Sequence, residues 1–262
     1  MNKSCKIINL VFVVLLTSSV FSFPIMDGKF FTDASDWGSS YVNGDGIVGP
    51  GVGGQAYDVE FLGLATDANK LYFGLQTGHS PVDKIYPPGD FALEVSGNDS
   101  LWDFAIDYDI TGNDATFYLI NMKDAAFVPY SSTTTETSWR EVKYTRKPND
   151  HSVSNPFEAI YDVDDIISTF TLEDVFSSNN RDTKGNKNSY VLEGCFDLSL
   201  IERIAGDVED NSLTLHWTMG CGNDYLNVSR GPVPNNEVPE PSSILMLFSG
   251  LFGILPLIRM KK

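Results

Sequence analysis

The chain has 262 residues, with 35 Asp and Glu against 18 Lys and Arg, for a formal net charge of -17. A surface this acidic repels nucleic acid and anionic lipid, so neither is expected as a partner of the folded part. Divalent cations and neutral polymers remain compatible with it.

The first 22 residues read as a secretory signal peptide. Lys3 and Lys6 precede an apolar core from Ile7 to Leu16, and Val20 and Ser22 occupy the small-residue positions of a cleavage point after Ser22. Cys5 lies ahead of the apolar core, where an acyl-bearing lipoprotein cysteine does not sit, and it leaves with the signal.

Residues 23–230 are long enough for one large core and carry β-signals almost throughout. Tyr57–Leu64, Lys70–Gln76, Phe91–Val95, Trp102–Tyr108, Ala115–Met122, Trp139–Tyr144, Ala159–Val163, Tyr190–Phe196 and Leu213–Met219 are short runs rich in aromatic and aliphatic residues. Asp67-Ala68-Asn69 and Thr111-Gly112-Asn113-Asp114 read as hairpin connections, the second supplying Gly and Asn where positive φ is needed. Ile166–Phe176 reads as either helix or strand, and Leu198–Ile204 as a short helix. Gly44–Gly54 and Arg181–Ser189 read as loops. The expected fold is all-β, an antiparallel β-sandwich or jelly roll.

Four sets of residues in this body carry candidate chemistry. Cys195 and Cys221 survive signal removal, and an oxidising compartment makes a disulfide between them the expectation, with a metal pair completed by His216 as the alternative. Trp37, Tyr86 and Trp139 are candidate glycan contacts, because exposed rings stack on the apolar faces of sugars; Trp102 and Trp217 read as packed, the latter against Cys221. Asp107, Asp109 and Asp114 place oxygen ligands at alternating positions around a tight turn, as a structural Ca²⁺ requires, although alternation also fits a hairpin with a polar outward face. Catalytic signatures are missing: there is no G-x-S-x-G, H-E-x-x-H or P-loop, and the histidines are His79, His151 and His216. The chain is therefore read as a non-enzyme. A glycan-acting hydrolase stays open as an alternative, because paired carboxylates have no fixed sequence spacing.

Residues 231–237, with Pro232 and Pro234, read as a stiff polar spacer. From 238 the chain runs Val238-Pro239-Glu240-Pro241-Ser242, then apolar from Ile244 to Ile258, then Arg259-Met260-Lys261-Lys262. A rigid break, a greasy segment that enters the bilayer and terminal cations that resist leaving the cytoplasm make up a membrane sorting tail. The apolar run is short against the ~20 residues of a resident spanning helix. The combination of Pro239-Glu240-Pro241, the apolar run and Arg259, Lys261 and Lys262 resembles the PEP-CTERM signal of bacterial surface proteins. That resemblance implies an exosortase as processing partner, transient inner-membrane anchoring and a cell-surface or extracellular address.

A fainter resemblance spans the body. Asp27-Gly28 with Asp36-Trp37, Tyr57-Asp58-Val59-Glu60, Leu71-Tyr72-Phe73-Gly74 and Tyr190-Val191-Leu192-Glu193 leading into Leu198-Ser199-Leu200-Ile201 are similar to family 9 carbohydrate-binding and DOMON-like domains. The expectation from the whole chain is an exported surface or matrix protein, structural or adhesive in an exopolysaccharide or biofilm layer. Its alternative is a carbohydrate-binding module.

Overall fold

Along residues 70–77 every second side chain, Leu71, Phe73 and Leu75, turns to one interior, while Tyr72, Gly74 and Gln76 turn the other way. This period of two is that of a β-strand, and burial on both sides shows that it is covered on both faces. The computed structural model describes residues 24–29, 37, 41–43, 54–67, 69–81, 83, 85–95, 102–143, 155–181, 187–206, 208, 212–222 and 224–230. The signal peptide, spacer and sorting tail expected at 1–22, 231–237 and 238–262 lie outside these residues, as does most of the Gly44–Gly54 loop. Among the described residues no helix is long and apolar enough to cross a membrane.

The strands are β1 (Tyr41–Asn43), β2 (Val59–Thr66), β3 (Lys70–Thr77), β4 (Phe91–Val95), β5 (Phe104–Thr111), β6 (Asp114–Asn121) and β7 (Ala126–Val128). They continue as β8 (Ser138–Arg140), β9 (Glu158–Ile160), β10 (Ile166–Leu172), β11 (Phe176–Arg181), β12 (Lys187–Asp197), β13 (Leu213–Thr218) and β14 (Tyr225–Arg230), with a helix, α1 (Ser199–Ala205), after β12. The class is all-β, as the sequence implies. Five strands pair in the order β1-β2-β3-β12-β11 and six in the order β10-β6-β5-β4-β13-β14, all antiparallel; neither sheet closes into a barrel. A third sheet runs β7-β8-β9, with β7 parallel to β8.

The two large sheets face each other across the main core. Phe73 from the first lies edge-on to Phe91 and Phe117 of the second, with ring centroids 5.0 and 5.2 Å away. Gly194 on β12 lies under that ring: a Cβ there would come within 2.2 Å of Phe73 Cζ, so the close approach requires glycine. At the β5–β6 hairpin Gly112 takes φ 68°, whereas Asn113 is not left-handed. A positive φ at the first loop position alone is the II′ pattern, in which one glycine suffices.

Each large sheet also has its outer face covered. Outside the five-stranded sheet, Trp37 packs among Phe61, Ala65 and Val191. Glu193, opposite Gly74, accepts the N–H groups of Asp27 (3.0 Å) and Gly28 (2.7 Å), tying the 24–29 segment to the sheet. Outside the six-stranded sheet, the small sheet lies over Ala92, Ala105 and Ile120 through Trp139 and Ala159; the small side chains permit close approach.

Register gives this body two distinct poles. Val59, Thr77, Tyr190 and Thr218 mark one, where Pro88 bridges Met219. Thr66, Lys70, Leu213 and Arg230 mark the other, where the Arg230 guanidinium donates to the Thr66 carbonyl at 3.0 Å. The last described strand, β14, therefore carries the chain to the second pole, the exit pole, before the spacer begins.

Candidate functional site

The pole opposite the exit is rich in half-buried rings. Gln55–Tyr57 forms a 3₁₀ turn that brings Tyr57 against the loop following β3. Gly78 lets the two segments touch, since a Cβ there would meet the Gln55 carbonyl oxygen at 1.7 Å. The buried His79 ring fastens them, with Nδ1 3.2 Å from the Ala56 oxygen and Nε2 2.7 Å from the Tyr86 oxygen. Asp83 then sets the Tyr86 backbone by accepting the N–H groups of Ile85 (2.7 Å) and Tyr86 (3.1 Å). Its slight burial would raise the carboxyl pKa, but these two donors outweigh that and lower it.

The rings form a continuous ridge. Tyr57 lies 6.1 Å from Tyr86, edge to face. The exposed Lys143 ammonium stands 5.3 Å from the Tyr86 ring centre and 5.8 Å from that of Tyr130. Tyr130 in turn lies 5.8 Å from Phe157. Ile85, 70% exposed, sits beside Tyr86. At this pole a narrow cavity, with room for little more than a water molecule, lies between the large sheets; Leu75, His79, Pro88, Tyr108, Tyr190 and Trp217 line it. Burial drives the Tyr108 phenol pKa up, so its O–H persists as a donor at any physiological pH.

Of the three candidate glycan contacts, Tyr86 lies on this ridge and the tryptophans do not. Trp37 is 2% exposed and Trp139 1%. Trp139 is enclosed because β8 is the central strand of the small sheet and presses on the six-stranded one; its indole N–H donates to the Trp102 carbonyl at 3.2 Å. Trp217 is also buried and shares the main core with Cys221, as its sequence context implies, and its N–H donates to Gly89 at 2.8 Å. The sequence reading places Tyr57 and Lys143 in strands, at Tyr57–Leu64 and Trp139–Tyr144, and does not single out Tyr130; all three lie outside the strands. They sit in loops with no periodicity, and the only local signal was the proline content of Pro81, Pro87, Pro88 and Pro129.

Two expectations are corrected. Cys195 and Cys221 are not bonded to each other. Strand alternation turns Cys195 outward beside Tyr72, whereas Cys221 lies in the core between the sheets, so the five-stranded sheet separates them. The alternative metal pair fails too, because the ring nitrogens of His216 face Asn227 Oδ1 (2.5 Å) and the Pro156 carbonyl (3.1 Å). The calcium set does not converge. Asp107 accepts the Tyr161 hydroxyl (2.6 Å), Asp109 that of Tyr118 (3.0 Å), and Asp114 the Asp174 N–H (3.1 Å). Among the described residues no group of three or more His, Cys, Asp or Glu is arranged to hold a metal ion.

The carboxylates instead fasten the small sheet. Asp90 accepts the Ala159 N–H at 2.8 Å while its own N–H donates to the Phe157 carbonyl at 3.0 Å, so it pairs with β9 as a strand would. Burial raises its carboxyl pKa well above the ordinary range, and the neighbouring Asp107 charge adds to this. Glu158 is raised by burial, against the pull of Arg140, with which it forms a salt bridge. His216, fully buried against Trp102 and the small sheet, is pushed down to about 4 by loss of solvent. On the opposite face Glu60 is buried, held by Ser189 (2.6 Å), Gln76 and Gln55, and burial raises it as well. These buried groups are structural pins: each is engaged by a named partner, while Asp90 holds β9 and Asp107 holds the Tyr161 hydroxyl.

Comparison with known proteins finds no family model that matches the chain. No curated protein and no solved structure matches it either.

Proposed function

We propose that the protein is an exported bacterial surface protein, sorted through its PEP-CTERM-like tail by an exosortase. Its β-sandwich serves as a structural or adhesive element in an exopolysaccharide or biofilm layer. The observation that carries this reading is the polarity of the body: the chain leaves at one pole, toward the spacer and tail, and the ring-bearing ridge lies at the other. A molecule held by its carboxyl end would thus present Tyr57, Tyr86 and Tyr130 outward. Three tryptophans spent on packing and buried carboxylates engaged in structural pairs also favour a scaffold over a catalyst. The test is the mass of the protein recovered from native cells. Loss of the residues after the Pro239-Glu240-Pro241 motif supports sorting, and a product that keeps Lys261 and Lys262 in the inner membrane overturns it.

A carbohydrate-binding role is the second reading, and the half-buried Tyr86 ring on the ridge favours it. A neutral polysaccharide stacked on the ridge should give saturable heat in a calorimetric titration, and Tyr86→Ala should abolish it. A flat titration across a broad panel of neutral polysaccharides would count against this second reading.

A further inference from the structure

A β-bulge gathers reactive groups on the five-stranded sheet. Val59 pairs with Thr77 and Phe61 with Gln76, so Glu60 is the extra residue between them. Bulges re-aim side chains, and here Glu60 meets Gln76 of β3 and Ser189 of β12. Glu60, Gln76 and Ser189 are each 0% exposed. The β3–β12 register sets Tyr190 opposite Thr77 and so brings Ser189 level with Gly78. A Cβ at Gly78 would come within 3.0 Å of Gln55 Nε2, so the Gln55 carboxamide lies over that glycine and beside the serine.

The contacts order these groups as an acyl transfer needs them. The Ser189 hydroxyl donates to Glu60 Oε1 at 2.6 Å. The Gln55 amide donates to the same oxygen, and its Nε2 lies 3.5 Å from Ser189 Oγ. Gln76 donates to Glu60 Oε2 and holds the carboxyl in place. A nucleophile, a base touching its proton and an acyl group whose leaving nitrogen touches the same base are thus together. Burial raises the Glu60 pKa against the pull of these three donors, and the Asp58 charge adds to the rise. General acids and bases work best with a pKa near the working pH, so the rise suits the role.

We propose that Ser189 and Gln55 join in an ester cross-link, formed once in each chain with Glu60 as the acid–base group. Ser189 Oγ attacks the Gln55 side-chain carbonyl carbon as Glu60 takes the hydroxyl proton. The C–N bond of the tetrahedral intermediate then breaks as Glu60 returns the proton to the nitrogen, and ammonia leaves. A carboxamide and an alcohol become an ester and ammonia, with no oxidation and no co-reactant. Escape of ammonia draws the step forward, and burial of Ser189 and Glu60 keeps water from the product. One internal turnover leaves the body a scaffold. The bond ties the turn that carries Tyr57 to β12 across 134 residues of sequence, and it stabilises the fold by restricting the unfolded chain, as other cross-links do. The inference goes beyond the surface role and does not depend on the sorting route.

The test is peptide mapping of the full chain, shown to be folded by circular dichroism, then denatured and digested with trypsin. Cleavage after Lys and Arg leaves Gln55 in peptide 30–70 and Ser189 in peptide 188–203. Mass spectrometry should find the two joined, at the sum of their masses less one ammonia, and hydroxylamine, which cleaves esters and spares amides, should release them. Ser189→Ala should abolish the joined species. Glu60→Gln, close to the native side chain in shape, should lower its yield about tenfold or more. The wild-type digest decides the bond without any variant: folded protein that yields only separate peptides would overturn the inference. A joined pair that persists in Ser189→Ala, or one that resists hydroxylamine, would overturn it as well. A Glu60→Gln chain that cross-links as fully as wild type would overturn the role given to Glu60.

Discussion

The aromatic residues of this chain divide between two regions with opposite duties. In the core between the sheets and under the two covers, Phe73, Trp37, Trp139 and Trp217 are buried, and the Phe73 edge and the Trp139 and Trp217 indoles are matched to particular neighbours. At the tyrosine pole, Tyr57, Tyr86 and Tyr130 are half-buried, and Tyr86 and Tyr130 share Lys143. The contrast shows that ring size says little about exposure in a body covered on both outer faces. The largest rings fill the interior, and rings with a polar tip, placed on loops, are left for contact.

Substitutions sharpen this division by separating loss of folding from loss of contact. Phe73→Ala should cost about 3–5 kcal/mol, because it removes a buried ring and opens a cavity over Gly194; a shift of the urea midpoint at unchanged slope would report it, and a shift below 1 kcal/mol would remove Phe73 from the centre of the core. Glu193→Ala should cost about 1–3 kcal/mol by stranding the Asp27 and Gly28 N–H groups, and hydrogen exchange of those two amides should rise more than that of β3. Tyr86→Ala should change stability by less than about 1 kcal/mol, as a half-buried loop residue, and should yet remove any binding at the ridge. If it unfolded the protein, the division between the two regions would be wrong.

A pH titration probes the cover held by His216. The folded pKa, about 4, is depressed below the ordinary 6.5, so between those values the unfolded chain binds a proton that the native one refuses. Stability from this group is full above pH 6.5 and is lost as pH falls toward 4, by up to about 3 kcal/mol. Asp90, Glu158 and Glu60 have raised values and act in the opposite sense, losing their contribution as pH rises through the folded pKa. The difference between wild type and His216→Gln isolates the histidine: it should shrink on acidification across this window, and a constant difference would contradict the assignment.

Much of the sheet pattern was legible in the sequence. Phe91–Val95 is β4 to the residue, and the hairpins at Asp67–Asn69 and Thr111–Asp114 join the strands their turn chemistry implied. Ile166–Phe176, ambiguous by period, resolves into β10, a turn and the start of β11. β11 itself was hidden because its Ser-Ser-Asn-Asn run is the polar signature of an edge, and β14 was missed although Leu226 and Val228 alternate with Asn227 and Ser229. Which face of β12 carries Cys195 depends on register against β3, and no spacing rule contains that. The third sheet was out of reach for the same reason, since the alanines that admit it, Ala92 and Ala105, look like ordinary strand residues until the strands are paired. The ridge was legible in one residue, Tyr86, because its partners arrive from three separate loops.

Labelling of intact cells tests most directly whether this body is exported with the ridge facing outward. Ile85→Cys, in a Cys195→Ser background, places a thiol at the most exposed apolar side chain of the tyrosine pole. A membrane-impermeant maleimide should label it fully before lysis. Labelling that begins only after the cells are broken would contradict both the surface address and the outward pole.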